Sequence, residues 1–216
     1  MTNEDFLLYV QRQQMARVYA RWEVYKLAQH VKGSIVECGV FNGFGMFGWA
    51  FPRVILSERD YYKTIVGFDT FGGFPSLNEK DDAGQVNAEL VEGAFNADMA
   101  TIQRAIVAFD ENRAINHIPM LELVQGDFME TGPKYLSDNP HFLVSLLYLD
   151  FDLYEPTKKA LEIFLPRMPK GAVLCFDEVH NKRWPGETLA LLEACNLRDI
   201  ELRGFEWEPN ISWAVI

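Results

Sequence analysis

Leu147-Tyr148-Leu149-Asp150-Phe151-Asp152-Leu153-Tyr154 sets an apolar run directly against two carboxylates spaced by one residue. The run from Leu143 to Leu149 has the length and composition of a buried strand. A second run, Ala172 to Phe176, stops in the same way on Asp177-Glu178. Two neighbouring strands that both stop on acids bring several carboxylates to one edge of a sheet. The carboxyl edge is where open α/β sheets bind ligands. Like charges so close raise one another's pKa or need a cation between them.

Outward from this stretch, strands and helices alternate. Ser34 to Cys38 and Thr64 to Phe68 read as strands, the second ending at Asp69, and Leu121 to Gln125 reads as a third, ending at Gly126-Asp127. Helical spacing covers the region after Gly45 to about Leu56, Ala97 to Asn112, about Thr157 to Leu165 and about Glu187 to Cys195. Residues 3 to about 31 read as one long helix, capped by Asn3, with Glu4 and Asp5 in its first turn and Gly33 after its end. The tail alternates as two strands, Asp199 to Trp207 and Ile211 to Ile216, with a turn at Pro209-Asn210. The expectation is an α/β fold: one doubly wound, Rossmann-like sheet, mostly parallel, with an antiparallel strand from the C-terminal hairpin. No linker or repeat divides the chain, so residues 1–216 read as one domain, with residues 1–32 an N-terminal helix.

Composition narrows the function. Nearly half of the 216 residues are hydrophobic, enough for one sizeable core. The net charge of -11 speaks against nucleic-acid binding, which needs a basic footprint. No apolar run approaches the roughly 20 residues of a membrane span, and the start of the chain lacks the features of a signal peptide. Cys38, Cys175 and Cys195 form no close pair and read as reduced thiols. A cytoplasmic location is expected.

Three acids at successive strand ends outline a ligand. Gly39, Gly43 and Gly45 follow the first strand as GxxxGxG, which differs from the dinucleotide fingerprint. Glu37 beside that turn suits a cationic amine better than a pyrophosphate. Asp69 is placed to accept the hydroxyls of a ribose, and Asp127 to meet the exocyclic amine of an adenine. Each also has a plain reading as a strand-end turn residue.

These stretches resemble class I S-adenosylmethionine-dependent methyltransferases, and more narrowly the macrocin-type (TylF/MycF-like) O-methyltransferases that modify sugars in natural products. The resemblance rests on Val36 to Gly43, Gly67 to Pro75, Asp150 to Thr157, Pro169 to Ala172 and Phe176 to Glu178. It implies S-adenosylmethionine held by Glu37, Gly39, Gly43, Asp69 and Asp127. It also implies a divalent cation, usually Mg2+, on Asp150, Asp177 and Glu178, and a small-molecule hydroxyl acceptor, a sugar above all. Such a hard cation suits carboxylate ligands and lowers the pKa of a bound hydroxyl.

The base is open in the sequence. Catechol-type relatives carry a lysine three residues after the first metal acid, and Leu153 stands there instead. His180, three residues after Asp177, is a candidate catalytic base, as is Asp150 itself. Asp152 either joins the metal site, caps the following helix or pairs with a basic residue. His117 and His141 read as structural or surface residues, and His30 ends the first helix, where a cation suits the dipole. Residues 70–96 carry Phe71, Phe74, Phe95 and five acids and read as a lid. A catechol-like acceptor, or a cofactor-binding domain without transfer, remain alternatives. The long first helix suggests a homodimer.

Overall fold

The computed structural model describes residues 5–82, 84 and 87–216. In chain order the elements are α1 (Phe6–Tyr9), α2 (Arg12–Ala28), β1 (Ser34–Cys38), α3 (Phe44–Ser57), β2 (Ile65–Asp69), α4 (Met99–Glu111), β3 (Leu121–Gln125), α5 (Phe128–Asp138), β4 (Val144–Leu149), α6 (Tyr154–Phe164), β5 (Val173–Phe176), α7 (Gly186–Ala194), β6 (Arg203–Phe205) and β7 (Glu208–Val215). Single 3-10 turns lie at Glu79–Asp81 and Leu165–Arg167. No helix among the described residues is long and apolar enough to cross a membrane.

The seven strands form one sheet in the order β3-β2-β1-β4-β5-β7-β6. All neighbours from β3 to β5 are parallel, and β7 runs antiparallel to both β5 and β6. The expected doubly wound sheet and its antiparallel C-terminal strand are thus present. β1, β4 and β5 are buried along their whole length, which is why they read as unbroken apolar runs. Side chains alternate across the sheet. Leu147 and Leu149 enter the core under α5, α6 and α7, whereas Leu146 and Tyr148 enter the core under α2, α3 and α4.

Register sets the site. Cys38 lies level with Phe68 and with Leu149, Leu149 with Phe176, and Asp69 with Gln125. The residues that follow these ends therefore converge on one edge. Strand order reverses between β1 and β4, the position where doubly wound sheets open a crevice.

Two expectations need correction, and one helix was not expected. The N-terminal helix is broken: Val10 and Gln11 are extended, and α2 restarts with a reciprocal cap between Gln11 and Gln14. The proposed cap Asn3 and Glu4 lie outside the described residues. The hairpin turns at Glu206-Trp207, not at Pro209-Asn210. Those two residues lie in β7 opposite a register shift, where the pairing jumps from Gly204↔Ser212 to Phe205↔Glu208, so Pro209 needs no ladder partner. Finally, α5 is a full helix that the periodicity had not shown. Gly132 and Pro133 inside it hid the pattern. Its start was marked by Asp127, whose carboxylate accepts from Met129 N, with Glu130 three residues on.

Candidate active site

A cleft of about 680 Å³ opens over the carboxyl edge of β1, β2, β4 and β5, within the range for small-molecule sites. Glu37, Gly39, Asp69, Asp127, Asp150, Asp177 and Glu178 all line it. So do Asp152, Arg17 and Arg21, and Trp184 closes one wall. Gly43 sits within the same turn, at the start of α3. His180 is exposed and does not belong to the cleft lining; its backbone N–H donates to Thr188 Oγ1 at 2.9 Å.

The first half of the cleft is built from backbone. Gly39 has φ +92, and a Cβ there would stand 1.9 Å from the Asp150 carbonyl oxygen. Close passage of the turn against the end of β4 therefore requires glycine, before any ligand is considered. Gly43 has φ +85 and starts α3 in the left-handed region. Asp69 fastens the turn: Oδ2 accepts from Val40 N and Phe41 N, each at 2.8 Å, and Oδ1 accepts from Phe71 N at 2.6 Å. A carboxylate has about four acceptor positions, so Asp69 keeps room for about one hydroxyl of a ribose rather than for both. Burial raises its pKa, and those three N–H groups oppose the rise. Phe41, held at φ 47 by this fastening, is a bulky residue in a left-handed conformation.

Glu37 is buried beneath the turn, and burial pushes its carboxyl up to about 8 against the pull of Arg21. Its Oε2 takes no hydrogen bond from the described residues. An orphaned carboxylate oxygen at this depth fits a ligand that brings its own cationic amine. The glycine cradle, Asp69 and this oxygen together suit an amino-acid-bearing nucleoside.

The second half is built from acids. Asp150, Asp152, Asp177 and Glu178 face one another, with Glu187 of α7 beneath them. Burial, then Asp177, Asp152 and Glu187, pushes the Asp150 carboxyl well above the usual range. Burial and Glu178 do the same for Asp152, and burial and Asp177 push Glu178 up to about 7. Asp152 does not cap α6, whose N-cap residue is Leu153 and lacks a side-chain cap bond. Its φ of 61 turns it into the cleft. Glu187 is fully buried; Oε2 accepts from Glu178 N at 3.0 Å and Oε1 has no partner among the described residues.

Two arginines of α2 meet this crowd, one helical turn apart. Arg17 donates to Asp177 Oδ1 at 2.5 Å. Arg21, completely buried, donates to the Tyr148 hydroxyl at 2.9 Å, and that hydroxyl donates to Asp177 Oδ1 at 2.5 Å. Arg21 stacks 4.8 Å from the Tyr148 ring and 5.5 Å from Trp49. Its stem passes over Gly48, where a Cβ would stand 2.6 Å from Arg21 Cδ. Neither arginine was singled out from the sequence, because both sit in a helix whose apolar face is broad and imperfect. Glu187 and Asp81 were missed as well, since each lies in a polar stretch that reads as surface.

The cover over the cleft is fastened at several points. Asp81 is buried: Oδ1 accepts from Tyr154 N at 2.6 Å, the first residue of α6, and Oδ2 accepts from Asn78 N at 2.7 Å. Lys80 donates to Glu193 Oε1 at 2.5 Å and Arg183 to Glu89 Oε2 at 2.7 Å. Phe74 and Phe95 pack at 5.3 Å from each other and 6.0 Å from Trp184, and Phe95 meets Phe41 edge-on at 5.7 Å. Phe74 and Phe95 of this segment thus form an aromatic wall with Trp184, and Glu79, Asp82 and Glu92 stand exposed on its outer side.

As a donor set, crowded carboxylate oxygens with an unpartnered buried oxygen below them suit a hard divalent cation. Among the described residues no three acids, histidines or cysteines are arranged as a ready cage. Asp177 is instead engaged by Arg17 and Tyr148.

Known proteins share this fold. The chain is similar to CalS11, a calicheamicin methyltransferase, with a TM-score of 0.93 and 32% identity over 100% of this chain and 86% of that one. The apo structure of CalS11, described as a TDP-rhamnose 3'-O-methyltransferase, gives a TM-score of 0.82 and 30% identity, covering 100% of this chain and 87% of that one. The 8-demethyl-8-(2,3-dimethoxy-alpha-L-rhamnosyl)-tetracenomycin-C 4'-O-methyltransferase of Streptomyces olivaceus is 27% identical over 154 residues, 70% of this chain. The match spans about half of that relative, 55% of its length. The model of the macrocin O-methyltransferase (TylF) family matches residues 9–192, and with the site geometry this leaves one conclusion: the chain belongs to the macrocin O-methyltransferase (TylF) family.

Proposed function

We propose that the protein is an S-adenosylmethionine-dependent, divalent-metal-dependent O-methyltransferase acting on a hydroxyl of a sugar or glycosylated small molecule. The observation that carries this reading is the division of one cleft into a glycine turn with an orphaned Glu37 oxygen and a facing crowd of acids. Membership of the family and the sugar O-methyltransferases among its relatives support it.

In this reading Glu37 meets the cofactor's amine, Asp69 one ribose hydroxyl and Asp127 the adenine edge. Asp150, Asp177 and Glu178 would hold a divalent cation such as Mg2+, which when bound polarises an acceptor hydroxyl and lowers its pKa. S-adenosylmethionine, when bound, would supply the methyl group, its carbon–sulfur bond breaking to a neutral thioether as the acceptor oxygen takes the methyl. The hydroxyl proton passes to a cleft carboxylate. Asp152 suits that task better than His180, since it lines the cleft and takes no hydrogen bond from the described residues. Much of the rate comes from alignment of the two reactants, which the wall of Phe41, Phe74, Phe95 and Trp184 enforces while excluding water.

The test is a methyl-transfer screen with S-adenosylmethionine and Mg2+ across glycosides and nucleotide sugars, read by mass. Methylated sugar is the expected product. Transfer confined to catechols would move the protein to the other acceptor class, and no binding of S-adenosylmethionine would remove the reading altogether.

A further inference from the structure

The acid half of the cleft holds a cation already, and it belongs to the protein. Arg17 donates to Asp177 Oδ1 at 2.5 Å, the same oxygen that receives the Tyr148 hydroxyl. The guanidinium also acts electrostatically on Asp150, Asp152 and Glu178. One arginine cannot balance these acids. Asp150 and Asp152 take no hydrogen bond from the described residues, and below them Glu187 carries a fully buried oxygen with no partner. Arg17 has freedom to leave: its side chain is 26% exposed, against 5% for Asp177. Arg21, one turn further, is locked between Trp49 and Tyr148 and cannot take its place.

We propose that Arg17 is a built-in counter-ion that occupies Asp177 in the metal-free protein and yields that oxygen to the divalent cation, so that Arg17 sets the metal affinity of the site by competition. This rests on the metal reading given above and adds to it. A state in which Asp177 is free only about a tenth of the time weakens apparent metal binding about tenfold. The arginine would also keep the acids from repelling one another before the metal arrives, at a cost to affinity that keeps binding reversible.

The experiment is calorimetric titration of Mg2+, and of Mn2+ as a second probe, into full-length wild type, Arg17→Met and Arg17→Gln, without cofactor or acceptor. Thermal melting is recorded on the same samples. Removing the guanidinium should tighten metal binding about tenfold or more. The variants should melt below wild type without metal and recover when metal is added. Arg17→Gln keeps a hydrogen-bond donor but no charge, so it carries the same expectation should Arg17→Met not fold. Asp177→Asn should abolish binding. Equal affinity in wild type and variants overturns the competition while leaving the metal site standing. Weaker binding in the variants overturns it by making Arg17 a part of the metal site. No metal binding by any of the proteins overturns both this inference and the metal reading.

Discussion

The two halves of the cleft treat their carboxylates in opposite ways. Around β2 and β3 the acids are consumed by the chain, while Glu37 of β1 keeps an oxygen that takes no hydrogen bond from the described residues. Asp69 accepts three backbone N–H groups, and Asp127 caps α5. Around β4 and β5 Arg17 and the Tyr148 hydroxyl donate to Asp177 and Asn181 donates to Glu178, whereas the Asp150 and Asp152 carboxylates take no hydrogen bond from the described residues. Hydrogen bonds from fixed amides build a rigid cradle whose shape is set before any ligand arrives. Uncompensated carboxylates store a demand for positive charge instead. A nucleoside suits the first environment and a metal ion the second.

Substitutions that separate the halves should show the largest effects. Asp150→Ala and Asp177→Ala should lower kcat by about a thousandfold, a typical span for losing a group that acts on the proton or its oxygen. Both should still bind S-adenosylmethionine by calorimetry. Loss of cofactor binding in these variants would erase the distinction between the halves.

Asp69→Ala acts on the other side. It strips acceptors from Val40 N, Phe41 N and Phe71 N, and should lower unfolding stability by about 2–3 kcal/mol while weakening cofactor binding. Metal affinity should be unchanged in the same protein. A parallel loss of metal binding would mean that the turn and the acids form one unit.

Glu37 sharpens the comparison through pH. Its folded pKa of about 8 lies above that of an unfolded glutamate. The neutral form is therefore preferred in the folded protein, and the stability it contributes is lost as pH rises from the unfolded value through about 8. A cationic amine favours the ionised form, so cofactor binding should release a proton. Affinity should then rise about tenfold per pH unit between pH 6 and 7.5. Glu37→Gln should flatten that slope, and a flat slope in wild type would contradict the role given to Glu37.

The smallest effect is expected at the cover. Asp81→Ala removes the carboxylate that receives the Tyr154 N–H at the start of α6. It should cost about 1 kcal/mol, as for a lost helix cap. KM for the acceptor should rise more than kcat falls, and residues 70–96 should become more sensitive to protease. An unchanged KM would show that the cover is fastened without Asp81.

The sheet was legible because its central strands are buried on both faces and therefore uniformly apolar, as in Ser34–Cys38 and Val144–Leu149. Asp150 and Asp177 were legible because each follows such a run. The break at Val10-Gln11 was not, since no proline or glycine marks it and the cap is made by two glutamines. α5 was hidden by Gly132 and Pro133. Arg17 and Arg21 were invisible for a different reason. Charge on a helix reads as solvent-facing until tertiary packing shows Gly45 and Gly48 of α3 opening a slot for Arg21. His180 shows the converse: proximity in sequence to Asp177 did not bring its side chain into the cleft lining.

Methyl transfer from labelled S-adenosylmethionine to the glycoside panel, measured before and after chelation, bears on the central claim most directly. Turnover should vanish with chelator and return with added Mg2+, while calorimetric binding of S-adenosylmethionine stays the same throughout. Turnover that survives chelation, or cofactor binding that disappears with it, would contradict a cleft divided into a metal half and a cofactor half.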